Sequence, residues 1–119
     1  MKKSFIVAAI AFFAVATPFF ATAGAVGGSK YADERVNAND EDYYYIEFRG
    51  GREARVTVEG DGDTDLDLYV YDEDGDLVAY DDDFTDYCIA EWTPRRTQEF
   101  EIKIVNRGDV YNEYELETN

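Results

Sequence analysis

The residue types in this 119-residue chain exclude most catalytic chemistry. The chain has no histidine, and Ser29 is its only serine after residue 23, so neither a serine–histidine nor a cysteine–histidine nucleophile can be built. A zinc site of histidine and cysteine is excluded because Cys88 is the only cysteine. Two carboxylates can hydrolyse glycosides, but among 27 acidic residues a suitable spacing arises by chance. We therefore predict a protein that is not an enzyme, with no catalytic and no cofactor-binding residues.

Aspartates are the first group of residues that could bind a ligand, here a metal ion. Asp74-Gly75 is a strong hairpin signal, and a regular hairpin around it predicts a register that also places Val78 and Tyr80 on the inner face. The predicted pairs are Tyr71 with Leu77, Tyr69 with Ala79, Asp67 with Asp81, and Asp65 with Asp83. Like charges that face each other cost stability unless something neutralises them.

A hard cation with oxygen ligands, calcium above all, would turn this repulsion into a stabilising link. The candidate calcium ligands are Asp63, Asp65, Asp67, Asp81 and Asp83. The alternative is a solvated acidic edge, screened by water and salt, whose charges discourage aggregation. Cys88 is interpreted as a free buried thiol, with a disulfide between two copies as the alternative.

Tyrosines are the second group. Tyr43, Tyr45, Tyr69 and Tyr71 are predicted to face outward from their strands. Tyrosine offers a large contact area with a polar tip, so these four could form a flat aromatic platform for a polymer. The alternative is that tyrosine is simply favoured on strands.

The elements that carry these groups are strands. From Tyr43 onward, apolar and polar residues alternate with period two, which is the spacing of a strand with one buried face. The pattern predicts about seven to eight strands separated by glycine-rich and asparagine-rich turns, with no helical period. We predict an all-β fold, an antiparallel two-sheet β-sandwich or jelly roll. Residues 24–42 show no such alternation and are expected to be a flexible lead-in to a domain at 43–119.

The run Asp63-Thr64-Asp65-Leu66-Asp67-Leu68-Tyr69-Val70-Tyr71-Asp72, followed by Gly75, Val78-Ala79 and Asp81-Asp82, resembles the bacterial pre-peptidase C-terminal domain. So does the ending from Phe100 to Asn106 with Tyr111, Asn112, Tyr114 and Leu116. The resemblance spans about 43–119 and implies a β-sandwich found beside secreted proteases and, in related form, as the collagen-binding modules of clostridial collagenases. It implies binding of a polymer or surface, or removal during maturation, and in some members calcium. Gln98-Glu99 depart from the family's usual small-residue turn, and no protease domain accompanies the module here.

The first 23 residues predict export. Lys2 and Lys3 precede an apolar stretch, and Ala21-Thr22-Ala23 supplies a cleavage pattern, as in a secretory signal peptide; a retained anchor is the alternative. The protein is then secreted or periplasmic, without a membrane after cleavage. Residues 24–119 hold nine basic and 27 acidic residues, a charge that repels nucleic acid and attracts cations or basic surfaces.

Two functional hypotheses follow. The first is a secreted, non-catalytic binding or accessory module that holds a protein or polysaccharide surface and is stabilised by calcium. The second is a structural or interaction protein of the envelope that acts through a protein partner.

Overall fold

The structure, a computed structural model, describes residues 24–119, and the predicted signal peptide at 1–23 lies outside them. The described residues form strands and turns without a helix, which confirms the predicted all-β sandwich. Since they contain no helix, none of them forms one that is long and apolar enough to span a membrane. The eight strands are β1 (Tyr31–Val36), β2 (Glu41–Phe48), β3 (Ala54–Glu59), β4 (Leu66–Tyr71), β5 (Leu77–Asp81), β6 (Tyr87–Trp92), β7 (Gln98–Asn106) and β8 (Asn112–Thr118).

The strands pair as a nested hairpin. The antiparallel pairs β4–β5, β3–β6, β2–β7 and β1–β8 surround one another in sequence order. Further pairing of β4 with β7 and of β3 with β8 gives two four-stranded sheets. We call them the β1-β8-β3-β6 sheet and the β2-β7-β4-β5 sheet after their strand orders. This nesting is a jelly roll, one of the two forms predicted.

The core between the sheets consists of the predicted inward rows. Alternate residues of β2, β3, β4 and β7 are buried because side chains on a strand point to opposite faces in turn. These residues are Tyr44, Ile46, Phe48, Ala54, Val56, Val58, Leu66, Leu68, Val70, Phe100, Ile102 and Ile104. Cys88 is buried among them as a free thiol, its Sγ donating to the Leu66 carbonyl at 3.1 Å. Burial raises the pKa of this thiol, so it stays protonated at neutral pH.

A hydrogen-bonded chain links the two sheets through the core. Tyr114 of β8 donates its hydroxyl proton to Asp42 Oδ2 at 2.6 Å. The Tyr114 oxygen lies 2.7 Å from the hydroxyl oxygen of Tyr44 on β2. Because Tyr114 directs its own proton to Asp42, Tyr44 is the donor in this second hydrogen bond. Burial raises the pKa of both tyrosines. Because Asp42 is only 3% exposed, the hydrogen bond from Tyr114 helps to stabilise its carboxylate inside the domain.

The stretch 24–42 differs from the expected flexible lead-in. It contains β1, which pairs with β8 along its whole length, and it starts with Ala25, which bridges to Phe48. Ala32 and Val36 are buried at the ends of β1. The sandwich therefore begins before Tyr43. Glu34 lies between these two apolar positions and interrupts the alternation, which hides the strand in the sequence.

The predicted register of the β4–β5 hairpin is wrong beyond its first pair. Tyr71 does face Leu77, but a bulge follows, and Val70 pairs with Ala79, Tyr69 with Tyr80, and Leu68 with Asp81. The extra residue, Val78, shifts every later residue of β5 by one position. Ala79 therefore packs against the core, whereas Val78 and Tyr80, predicted inside, are 37% and 56% exposed.

Candidate functional site: a tyrosine face on one sheet

The outer face of the β2-β7-β4-β5 sheet carries a row of three tyrosines and one lysine, one residue from each strand. Tyr43 of β2 faces Lys103 of β7, which faces Tyr69 of β4, which in turn faces Tyr80 of β5. Residues directly opposite each other project from the same side of a sheet. Three strand spacings of about 4.8 Å make this row roughly 14 Å long.

A second row lies two residues along the strands. Tyr45 of β2 faces Glu101 of β7, and Glu101 faces Tyr71 of β4. The four tyrosines predicted as a platform are thus brought together on one face, with Tyr80 as a fifth member. We call these five residues, Tyr43, Tyr45, Tyr69, Tyr71 and Tyr80, the tyrosine face.

Carboxylates hold the β2 tyrosines in place. Tyr43 donates its hydroxyl to Glu41, and this bond, with smaller effects of burial and charge, raises the pKa of Tyr43 to about 12. Tyr45 donates to Glu101 at 3.0 Å, and burial followed by this bond raises the pKa of Tyr45. Both phenols therefore remain neutral at physiological pH, with their rings anchored within the face by a polar end.

The β4 end of the first row is held by a charged pair. The Arg107 guanidinium donates to Asp67 Oδ2 at 2.7 Å and to the Tyr69 hydroxyl at 3.2 Å. Tyr69 in turn stacks on Tyr80, with ring centroids 6.4 Å apart and planes 16° from parallel. The bulge at Val78 is what brings Tyr80 to this position. Two strands thus present adjacent, nearly parallel rings.

A shallow groove of about 470 Å³ runs along the second row. It is lined by Tyr45, Tyr71, Asp72, Glu73, Gly75, Glu99 and Glu101. Two aromatic rings surrounded by carboxylates offer apolar contact together with hydrogen-bond acceptors. Such a surface suits a ligand that presents hydroxyl or amine donors along an extended chain.

The five aspartates predicted as calcium ligands lie in the β3–β4 loop, β4, β5 and the β5–β6 loop, and three of them already accept hydrogen bonds. Asp81 Oδ2 accepts from the Ile89 amide at 3.0 Å. Asp83 Oδ1 accepts from the amide and hydroxyl of Thr85. Asp67 Oδ2 accepts from Arg107, and Asp63 is exposed.

Two carboxylate oxygens remain buried without a hydrogen-bond partner, Asp65 Oδ1 and Asp67 Oδ1. Burial, then the charges of Asp67 and Asp83, raise the pKa of Asp65. In residues 24–119, however, no three or more acidic, histidine or cysteine side chains are arranged to hold a metal ion. Calcium takes six to eight oxygens, and calcium binding at these aspartates stays a prediction.

The tyrosine face and its groove also contain residues that the sequence analysis did not place there. Tyr80 is expected on the inner face if β5 is regular, and no residue type in Leu77–Asp81 indicates the bulge that turns it outward. The groove carboxylates Glu99 and Glu101 were not singled out, although both alternate with buried positions on β7. That alternation was the available signal for their outward position.

Comparison with known proteins supports the fold. No family model matches the chain, and no curated protein matches it in sequence. Among solved structures, it is similar to the pre-peptidase C-terminal domain of a collagenase from Bacillus anthracis, with a TM-score of 0.65, 12% identity, and coverage of 75% of this chain and 87% of that one. It is also similar to PliG of Aeromonas hydrophila, a periplasmic inhibitor of g-type lysozyme, with a TM-score of 0.58, 12% identity, and coverage of 84% and 90%. The predicted resemblance to pre-peptidase C-terminal domains is thereby confirmed in the fold.

Proposed function

We propose that this chain is an exported, non-catalytic binding module that holds an extracellular protein or polysaccharide surface on its tyrosine face. The observation that carries the proposal is the alignment of five tyrosines from three strands on one outer face. Rings with anchored hydroxyls lose little further side-chain freedom on binding, which lowers the cost of association. The folds of the collagenase domain and the lysozyme inhibitor are compatible with such a role.

The acidic groove beside Tyr45 and Tyr71 supplies the polar part of recognition. Carboxylates that line it accept hydrogen bonds from sugar hydroxyls or from peptide and side-chain amines. No histidine is available for proton transfer at neutral pH, and the pKa values of Tyr43, Tyr45 and Tyr69 are raised. These groups support retention of a ligand rather than its chemical conversion.

Sedimentation with insoluble collagen, chitin and bacterial cell wall tests the proposal. We expect the protein to be retained on one of them, and Tyr45→Thr/Tyr71→Thr to lower retention about tenfold or more, because two aromatic contact areas are lost. Threonine keeps the strand preference of the replaced residue. Tyr31→Thr is the matched control, since Tyr31 donates to Glu115 at 3.0 Å on the other sheet as Tyr45 does to Glu101.

Retention of the double variant at the level of the unchanged protein would contradict the assignment of the tyrosine face. Absence of retention on all three polymers would contradict the binding function itself. Mass spectrometry of the protein recovered outside the cytoplasm would test export, since cleavage after Ala23 leaves a chain that begins at Gly24.

A further inference from the structure

Exposed apolar side chains are concentrated in one segment that the tyrosine face does not account for. Among residues 24–119, nine large apolar or aromatic side chains are exposed, and six of them fall in the thirteen residues from Leu77 to Ile89. They are Leu77, Val78, Tyr80, Phe84, Tyr87 and Ile89. Exposed apolar side chains that lie together on a folded surface mark an interaction site, and these six come from two adjacent strands and the loop that joins them.

The segment forms one open side of the sandwich. β5 is the last strand of one sheet and β6 the last strand of the other, and the two strands lie against each other. Asp81 of β5 accepts a hydrogen bond from the backbone N–H of Ile89 on β6 at 3.0 Å. That N–H lies on the edge of β6 and is therefore not free to pair with an added strand. A partner would therefore dock on the side chains of this edge.

Phe84 is the most exposed of these side chains, at 95%. It lies in the β5–β6 loop, and the residues around it form an ordered turn. Asp83 Oδ1 accepts from the Thr85 amide at 3.0 Å. The single hydroxyl proton of Thr85 has two acceptors within reach, Asp83 Oδ1 at 2.9 Å and the Tyr87 carbonyl at 3.1 Å. A phenyl ring held outward on a fixed turn can enter a pocket with little loss of chain entropy.

Charge determines the chemistry of the partner. The segment from Leu77 to Ile89 contains four aspartates and no lysine or arginine, and the chain as a whole has a formal net charge of −16. A second copy would bring two negative edges together, which is unfavourable. A surface with lysine or arginine around an apolar pocket complements both the aspartates and the exposed rings.

We infer that the β5–β6 edge is a docking surface for a protein with an apolar pocket rimmed by basic residues, and that Phe84 enters that pocket. This surface is distinct from the groove of the tyrosine face, and its role does not depend on the ligand held there. Tyr80 lies at the boundary, since it belongs to the tyrosine face and to β5. The tests therefore change Phe84, which belongs only to the β5–β6 edge, or the groove tyrosines, which belong only to the tyrosine face.

Isothermal titration calorimetry with three synthetic peptides tests the inferred chemistry. One alternates lysine and leucine, the second has glutamate in place of lysine, and the third has serine in place of leucine. We expect the lysine–leucine peptide to bind at least about tenfold more tightly than the other two. Phe84→Ser should weaken its binding by about 10- to 100-fold, as expected from losing one buried aromatic side chain.

Matched variants on another loop control for general attraction to an acidic protein. Val110 and Asp109 are both exposed there, so Val110→Ser should leave binding unchanged and Asp82→Asn should weaken it more than Asp109→Asn. Tyr45→Thr/Tyr71→Thr should bind the peptide like the unchanged protein even if it loses polymer retention. Equal binding by Phe84→Ser would overturn the inference. A concentration-dependent dimer, measured by sedimentation and abolished by Phe84→Ser, would also overturn the inference. The β5–β6 edge would then bind a second copy of this chain.

Discussion

Asp65 is a carboxylate whose ionisation is disfavoured by its surroundings in the folded protein. Its Oδ1 has no hydrogen-bond partner, and burial with the neighbouring Asp67 and Asp83 charges raises its pKa. A carboxyl whose pKa is higher in the folded state favours folding while protonated and opposes it once ionised. The cost is therefore absent at acidic pH and appears as the pH rises through the titration range of Asp65.

We expect Asp65→Asn to stabilise the protein at pH 7 by roughly 0.2–1 kcal/mol, the range for an interaction between charges near a protein surface. The gain should disappear below about pH 3.9, where Asp65 is protonated in both states. Urea unfolding at both pH values measures it. A gain of equal size at both would show that the carboxylate charge is not the cause.

The same variant tests the calcium prediction. If calcium bound at this end, it would raise the melting temperature by several degrees over sodium chloride of equal ionic strength, and Asp65→Asn would abolish that rise. Equal melts with calcium and with chelator would contradict the calcium prediction without affecting either proposed binding surface.

The buried chain from Tyr44 through Tyr114 to Asp42 provides a second test at the residue scale. Tyr114→Phe removes the donor to Asp42 at 2.6 Å and should lower the free energy of unfolding by about 1–3 kcal/mol, as for a buried polar group that loses its partner. Tyr44→Phe should cost less because Tyr114 still donates to Asp42. Urea unfolding curves compare the two, and equal losses would contradict the assigned direction of donation.

At the scale of the elements, β1 and the β5 bulge decide what the sandwich can present. β1 covers the edge of β8 that would otherwise expose its backbone groups. The bulge at Val78 turns Tyr80 outward onto Tyr69 and Ala79 inward. The first feature completes the fold, and the second supplies a ring to the tyrosine face.

A chain that begins at Asn37, and so lacks β1, should be much less stable than one that begins at Gly24. It loses the burial of Ala25, Ala32 and Val36 and the whole β1–β8 pairing, for an expected cost of at least about 2 kcal/mol. Urea unfolding and limited proteolysis measure the difference. Equal stability of the two chains would support the original expectation of a flexible lead-in.

At the scale of the whole molecule, the excess of 27 acidic over nine basic residues in 24–119, a formal net charge of −18, sets how the domain responds to salt. Repulsion among carboxylates opposes the compact state, and raising salt from about 0.1 to 1 M shortens the screening length from about 10 to 3 Å. We expect the urea midpoint at pH 7 to rise with potassium chloride. The rise should shrink near pH 4, where many carboxylates are protonated, and an undiminished rise would indicate a cause other than charge.

The alternation of apolar and polar residues determined the all-β class, the two sheets and nearly the whole core. It could do so because one buried face imposes a period of two on each strand. Alternation also placed the four predicted tyrosines outward. It failed at β1, where Glu34 occupies a position between buried Ala32 and Val36.

Only the tertiary structure decided which outward residues meet. Tyr43 and Tyr69 lie on different strands, and they become neighbours because β7 pairs with both β2 and β4. Such pairings join residues far apart in sequence, so the local alternation of apolar and polar residues cannot predict them. The position of Tyr80 depends in addition on a one-residue bulge, and a shift of one residue moves a side chain to the opposite face of a sheet.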